Sequence, residues 1–290
     1  MKKVSFPRNS DTIILMNHSK VIDILKQSAT YNLAKLLLEQ AEDFFETLGE
    51  MGIRFVQVIK LIFSDIFKRE MNWKLVVDQC SRFAVDSLPI TLSIVGMCSI
   101  IISMQVAPEM VKQGGEKFVG MLMGVVMTRE LGAIMSGFAI ISMIGSAYAS
   151  EIATMRVTEQ IDALKVLKVN PVDYLFVPRV VAGFIMMPFI VVISSTFGLI
   201  CGGAAAYLSA HVSRLNYISS LWQGLYIKDI SVALAKSACF GAAIALISCT
   251  CGYLAYGGAK GVGLSTTKAV VWSFVAICII DYIFATIFFF

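Results

Sequence analysis

Five long apolar runs decide what this chain can fold into. They cover Leu88–Val106, Phe118–Ala149, Val177–Leu208, Ile230–Tyr256 and Ala269–Phe290. Each is close to or above the roughly 20 residues that an α-helix needs to cross a bilayer. The runs are continuous, whereas the strands of a membrane β-barrel alternate in hydropathy over about 10 residues. Composition points the same way. The chain is 57% hydrophobic and 15% charged, with mean hydropathy +0.77; soluble domains carry about 45–50% apolar and about 25% charged residues. The expected fold is an all-α membrane protein with five transmembrane helices. The net charge of +4 is modest, and the apolar runs leave no face for nucleic acid, which is not an expected partner.

Lys and Arg near the ends of the spans set the orientation. One side holds Lys68, Arg69, Lys74, Arg82, Arg156, Lys165, Lys168, Arg179, Lys260 and Lys268, and the other holds Lys112, Lys117, Arg214 and Lys228. The richer side is assigned to the cytoplasm. The N-terminus and the loops near 150–176 and 257–268 are then cytoplasmic, and the C-terminus lies on the far side. No secretory signal is evident: Met1–Lys3 is basic, but Ser5–Ser10 is polar and contains Pro7.

Ahead of the first span, Phe44, Leu48, Met51, Phe55, Val58, Ile59, Ile62 and Ile66 recur at three and four. Glu46, Glu50, Arg54, Gln57, Asp65 and Lys68 fall largely on the other face. This spacing predicts an amphipathic helix over about 44–67, lying in the membrane interface. Residues 1–42 form a polar extension to which no role is assigned, and 43–290 form one membrane domain. Between the second and third spans, Ile152, Met155, Ile161, Leu164 and Leu167 can form an apolar stripe. Glu151, Thr158, Glu159, Asp162 and Lys165 supply a polar face, suited to docking a soluble partner or to serving as a connector. Asn170-Pro171-Val172-Asp173 then starts a new helix, with Asn as N-cap, Pro at N1 and an acid at N3.

Within the spans the charges are Arg129, Glu130, Lys236 and Asp281. Charges at this depth are costly and face protein or a wet cavity. Glu130 and Lys236 are candidate partners in an interhelical ion pair, and a polar lining for a substrate head group is a compatible role. Gly198-x-x-x-Gly202, followed by Gly203 and Ala204–Ala206, permits close helix packing. The seven cysteines lie mostly in apolar runs and act as small hydrophobes; no metal site is expected, Cys249-x-Cys251 included. The chain has no Walker A sequence, no Gly-x-Ser-x-Gly and no His-Glu-x-x-His. ATP and Mg, if used, must be bound by another chain. The competing reading is a stand-alone membrane carrier or intramembrane enzyme working through Glu130, Lys236 and Asp281.

Several motifs occur together and in order: Arg129-Glu130-Leu131-Gly132, Gly145-Ser146-Ala147, Ser150-Glu151-Ile152, Thr154 through Leu164, Asn170-Pro171 and Val177-Pro178-Arg179. Ser87-Leu88-Pro89-Ile90 precedes them, and Gly261-Val262-Gly263 with Thr266–Val271 follows. From about Ile53 to its end the sequence closely resembles the MlaE/YrbE permeases, membrane subunits of ABC-type phospholipid transporters that work with MCE-domain proteins. The resemblance implies a homodimer, two cytoplasmic ABC ATPase subunits, a periplasmic MCE-domain partner, phospholipid as cargo and the bacterial inner membrane as location. It also implies a cytoplasmic coupling helix over Glu151–Leu167, with Glu151, Arg156, Thr158, Glu159, Gln160, Asp162 and Lys165 meeting the ATPase. Arg129, Glu130 and Lys236 would lie in the lipid cavity. Many relatives carry Gly-Arg where this chain has Ser142-Met143, so a cation is missing at Met143.

Overall fold

The computed structural model describes residues 48–62, 64 and 73–289. The chain divides into a unit ending at Glu50 and a larger unit, Met51–Phe290. The expectations for residues 1–42, and for both ends of the 44–67 helix, lie outside the described residues.

Every described element is a helix. Residues 48–62 form α1. The rest are α2 (Trp73–Lys112), α3 (Glu116–Val157), α4 (Gln160–Val166), α5 (Pro171–Ala210), α6 (Arg214–Gly224), α7 (Ile227–Tyr253) and α8 (Gly258–Phe289). Of these, α2, α3, α5, α7 and α8 are long and apolar enough to cross a membrane. The protein is thus a multi-pass membrane protein, all-α with five spanning helices among the described residues. All five spanning helices begin earlier than their apolar runs, by the most at α2 (Trp73), α5 (Pro171) and α8 (Gly258). Hydropathy marks the stretch suited to lipid, but backbone hydrogen bonding carries the helix on through polar turns such as Lys74–Arg82. At the start of α5, the Val172 amide donates to Asn170 Oδ1 at 3.1 Å, with Pro171 in the first turn.

The pairing of α2 with α5 is built on small residues. Ser99 Oγ donates to the Gly198 carbonyl and Ser103 Oγ to the Gly202 carbonyl, each at 2.6 Å. A Cβ on Gly202 would stand 2.6 Å from Ser99 Oγ. The Gly-x-x-x-Gly spacing therefore meets a Ser-x-x-x-Ser spacing, and hydroxyl-to-carbonyl bonds replace the missing hydrophobic drive between helices in lipid. Gly183 of α5 and Gly241 of α7 are in similar backbone contact: a Cβ on Gly183 would lie 2.5 Å from the Gly241 carbonyl oxygen. The core joins Phe83, Ile140, Ile144, Ile152, Phe176, Met187 and Phe240.

Within the larger unit, α1 packs on this bundle through Met51, Val58, Leu61 and Ile62. Arg54, assigned from sequence to the polar face, lies on the packing side instead, its guanidinium 4.6 Å from the Tyr253 ring centre. An aromatic face accepts a cation where an aliphatic wall would not. Phe55, Val56 and Ile59 remain exposed.

Candidate functional site

Helix α3 is not regular. It contains π-turns at Met127–Leu131 and Ile141–Gly145. Each inserts a residue into the helical register and turns the following side chains to new directions. The first holds Arg129 and Glu130. Gly132 ends it, at a point where a Cβ would collide with the Ser195 hydroxyl and lie 2.6 Å from the Met127 carbonyl oxygen. Close passage of α5 thus accompanies the distortion.

The two charges of this turn face different partners. Glu130 Oε2 lies 3.2 Å from Lys236 Nζ of α7. Arg129 Nε donates to Asp229 Oδ2, also of α7, at 2.9 Å. Lys236 is fully buried. Its ammonium also donates to the Arg129 carbonyl at 2.6 Å and lies 2.6 Å from Asp281 Oδ1 of α8. An ammonium has three hydrogens to donate, and three acceptors surround it. The cluster ties α3, α7 and α8 at one level, and it is not sealed: the Arg129 and Glu130 side chains are 34% and 38% exposed. Two cations and two partly open polar groups thus form a polar patch among apolar helices.

Asp229 was missed in the sequence because it precedes the fourth apolar run. A signal existed, since Asp229 and Lys236 are seven residues apart and so share a helix face. Met143 lies in the second π-turn, half-buried.

The segment expected to be one coupling helix is two. Helix α3 runs on to Val157, Thr158 caps it, and Glu159 takes a left-handed conformation (φ 60°) before α4. Ile152 and Ile161 are buried, and Met155 and Leu164 pack against the core. Leu167 departs from the expected stripe. It follows the end of α4, just before a second left-handed turn at Lys168, and is 71% exposed. Asp162 braces the segment, meeting Arg156 at 3.1 Å and Lys165 at 2.8 Å. The Lys165 hydrogen bond, followed by the Lys165 and Arg156 charges, holds its carboxyl below the usual range, and the same bond raises Lys165. Thr158, Glu159 and Gln160 are exposed. Glu151 is placed differently from the others: it lies within α3, 2.9 Å from the buried Arg179 of α5 and 3.4 Å from Arg82 of α2.

Residues 76–287 match the family described as Permease MlaE. A probable ABC transporter permease protein of Synechocystis is 36% identical over 76% of this chain and 84% of its own length. One from Rickettsia prowazekii is 33% identical over 83% of this chain and 96% of its own. The Arabidopsis chloroplast protein trigalactosyldiacylglycerol 1 is 35% identical over 77% of this chain and 64% of its own.

Proposed function

This chain belongs to the MlaE permease family of ABC transporter permeases, and from that premise we propose that it moves phospholipid between membranes. As a permease subunit it is a transporter component and not an enzyme. The observation that carries the lipid reading is the half-open charge cluster of Arg129, Glu130, Lys236, Asp229 and Asp281 set among apolar spanning helices. Arg129 is the group to meet a phosphate, because a guanidinium binds phosphate oxygens in a planar, bidentate way. That one relative carries the name of a glycerolipid supports a lipid cargo.

In this reading two copies enclose an apolar cavity in the bacterial inner membrane, with N-termini in the cytoplasm and C-termini in the periplasm. Cytoplasmic ABC ATPase subunits bind ATP and Mg and engage the exposed residues of 156–167. An MCE-domain protein receives or delivers lipid on the periplasmic side. Transport requires two states with different lipid affinity, and ATP binding must bias them. Helix α1 rests in the membrane interface, its exposed Phe55, Val56 and Ile59 toward lipid.

The test is co-reconstitution of the chain with its ATPase and MCE partners in vesicles, reading transfer of a fluorescent phospholipid to acceptor vesicles. ATP-dependent transfer that needs all the chains supports the proposal. Catalysis or carrier activity by the purified chain alone would overturn it in favour of a membrane enzyme or carrier using Glu130, Lys236 and Asp281.

A further inference from the structure

A cavity of about 680 Å³ opens between α5 and α6. No residue of the charge cluster lines it. Its walls are apolar and aromatic, among them Leu199, Ile200, Ala204, Tyr207, Leu221 and Trp222, and the one charged side chain is Arg214. Volume and lining fall within the range of small-ligand sites, which are mostly apolar with a few placed polar groups.

The position of the slot in the bilayer follows from its ends. It runs along α5 from Thr196 to Tyr207, roughly 16 Å at 1.5 Å per residue. The Tyr207 end lies one turn from the end of this spanning helix at Ala210, so the slot reaches from the membrane surface toward the midplane. Tyr207 is exposed at that end, and aromatic side chains are enriched at the head-group layer. Arg214 stands there, its guanidinium 5.2 Å from the Tyr207 ring centre. Among the described residues no carboxylate pairs with it, and Glu116, which also faces α6, accepts a bond from Asn216 at 3.3 Å. A cation without an acidic partner thus sits at head-group depth above an apolar slot. Water gains little from such walls.

We infer that the slot between α5 and α6 holds one acyl chain of a phospholipid from the surrounding bilayer, with the lipid phosphate on Arg214. This site is separate from the charge cluster and does not rest on the transport reading, because it needs only that the chain spans a membrane.

The experiment uses the full chain in nanodiscs with a phosphatidylglycerol bearing a photoreactive acyl chain, without ATP. The matching photoreactive diacylglycerol, which lacks the phosphate, is the control. Labelling is mapped by peptide and normalised to the exposed face of α8. The α5 and α6 peptides should be enriched with phosphatidylglycerol. Arg214→Gln should lower that enrichment about tenfold, the loss of one charge-assisted hydrogen bond, to the diacylglycerol level. Ala204→Phe should block the slot and remove enrichment with both probes. Equal labelling of wild type and Arg214→Gln would overturn the site, as would unchanged labelling in Ala204→Phe, or crosslinks from these peptides to a partner chain in place of lipid in the assembled transporter. Arg214 is a surface residue, so its variant carries the test even if Ala204→Phe fails to fold. Failure here with ATP-driven transfer intact removes only this site.

Discussion

Lys236 and Asp281 meet inside the helical bundle, Nζ to Oδ1 at 2.6 Å, and join α7 to α8. The ammonium is fully buried, whereas the carboxylates of Asp281 and Glu130 that accompany it are 14% and 38% exposed. The lysine therefore lies behind its two anions. With Arg129 and Asp229 the cluster has two cations and three carboxylates, a formal excess of one negative charge. Separation of Asp281 from Lys236 would leave that excess uncompensated on the open side of the cluster.

Removal of the lysine alone should be severe. Lys236→Met leaves Glu130 and Asp281 facing each other without a cation, and breaking a buried pair on one side costs about 3–5 kcal/mol. Thermal unfolding in detergent should show a large drop. The triple change Glu130→Gln, Lys236→Met, Asp281→Asn should regain most of the stability but not lipid transfer. Additive losses across the three positions would mean that they do not act as a unit.

The α2–α5 contact should tolerate loss of a hydroxyl far better than gain of a branched side chain. Ser99→Ala removes one interhelical bond, worth about 0.6 kcal/mol on average between membrane helices. Gly202→Val forces carbon atoms against Ser99 Oγ, where even a Cβ would stand at 2.6 Å. Overpacking of this kind costs typically 1–3 kcal/mol. Unfolding midpoints that rank Ser99→Ala below Gly202→Val would contradict the close packing.

Asp162 gives the cytoplasmic segment a pH dependence of fixed sign. Its carboxyl is held low by Lys165 and then Arg156. The brace is therefore complete above the ordinary carboxylate range and is lost as pH falls through the lowered value. From about pH 5 to 8 it should not change. Hydrogen exchange over 158–167, corrected for intrinsic rate, should be flat across that window. Asp162→Asn should exchange faster throughout and bind the ATPase subunits more weakly. Unaltered exchange and binding in this variant would remove the brace.

The spanning helices could be read from sequence because a bilayer demands long apolar runs, and the start of α5 because Asn170-Pro171 has a local cause. The Gly198–Gly202 spacing likewise announced close packing, though not that Ser99 and Ser103 complete it. What escaped is what depends on third parties. The π-turn at Met127–Leu131 goes with close passage of Ser195 at Gly132, and Arg54 turns inward to the Tyr253 ring. Neither partner is adjacent in sequence. Leu167 fits a helical stripe only while the helix continues, and it ends at Val166. Asp229 was overlooked because hydropathy put the start of its span at Ile230, three residues after the helix begins at Ile227.

Orientation is checked by side-specific labelling. A single Cys at Lys165 should react only from the cytoplasmic side, and a tag after Phe290 only from the periplasmic side. Reaction of both from one side would overturn the five-span topology.

The pairing of Arg129 with Asp229 separates a structural role from a lipid-binding one. Asp229 is 2% exposed, so Arg129→Ala leaves a buried carboxylate without the cation that holds it at 2.9 Å. Stability should fall by about 3 kcal/mol or more. That loss by itself would lower transport and say nothing about lipid. The double change Arg129→Met, Asp229→Asn removes both charges and should restore folding, since paired replacement by neutral groups is often close to neutral. If Arg129 meets a phosphate, the refolded double variant should still fail to crosslink a photoreactive phospholipid at the cluster. Wild-type crosslinking in the stable double variant would reduce Arg129 to a strut between α3 and α7, and the phosphate would have to be met elsewhere.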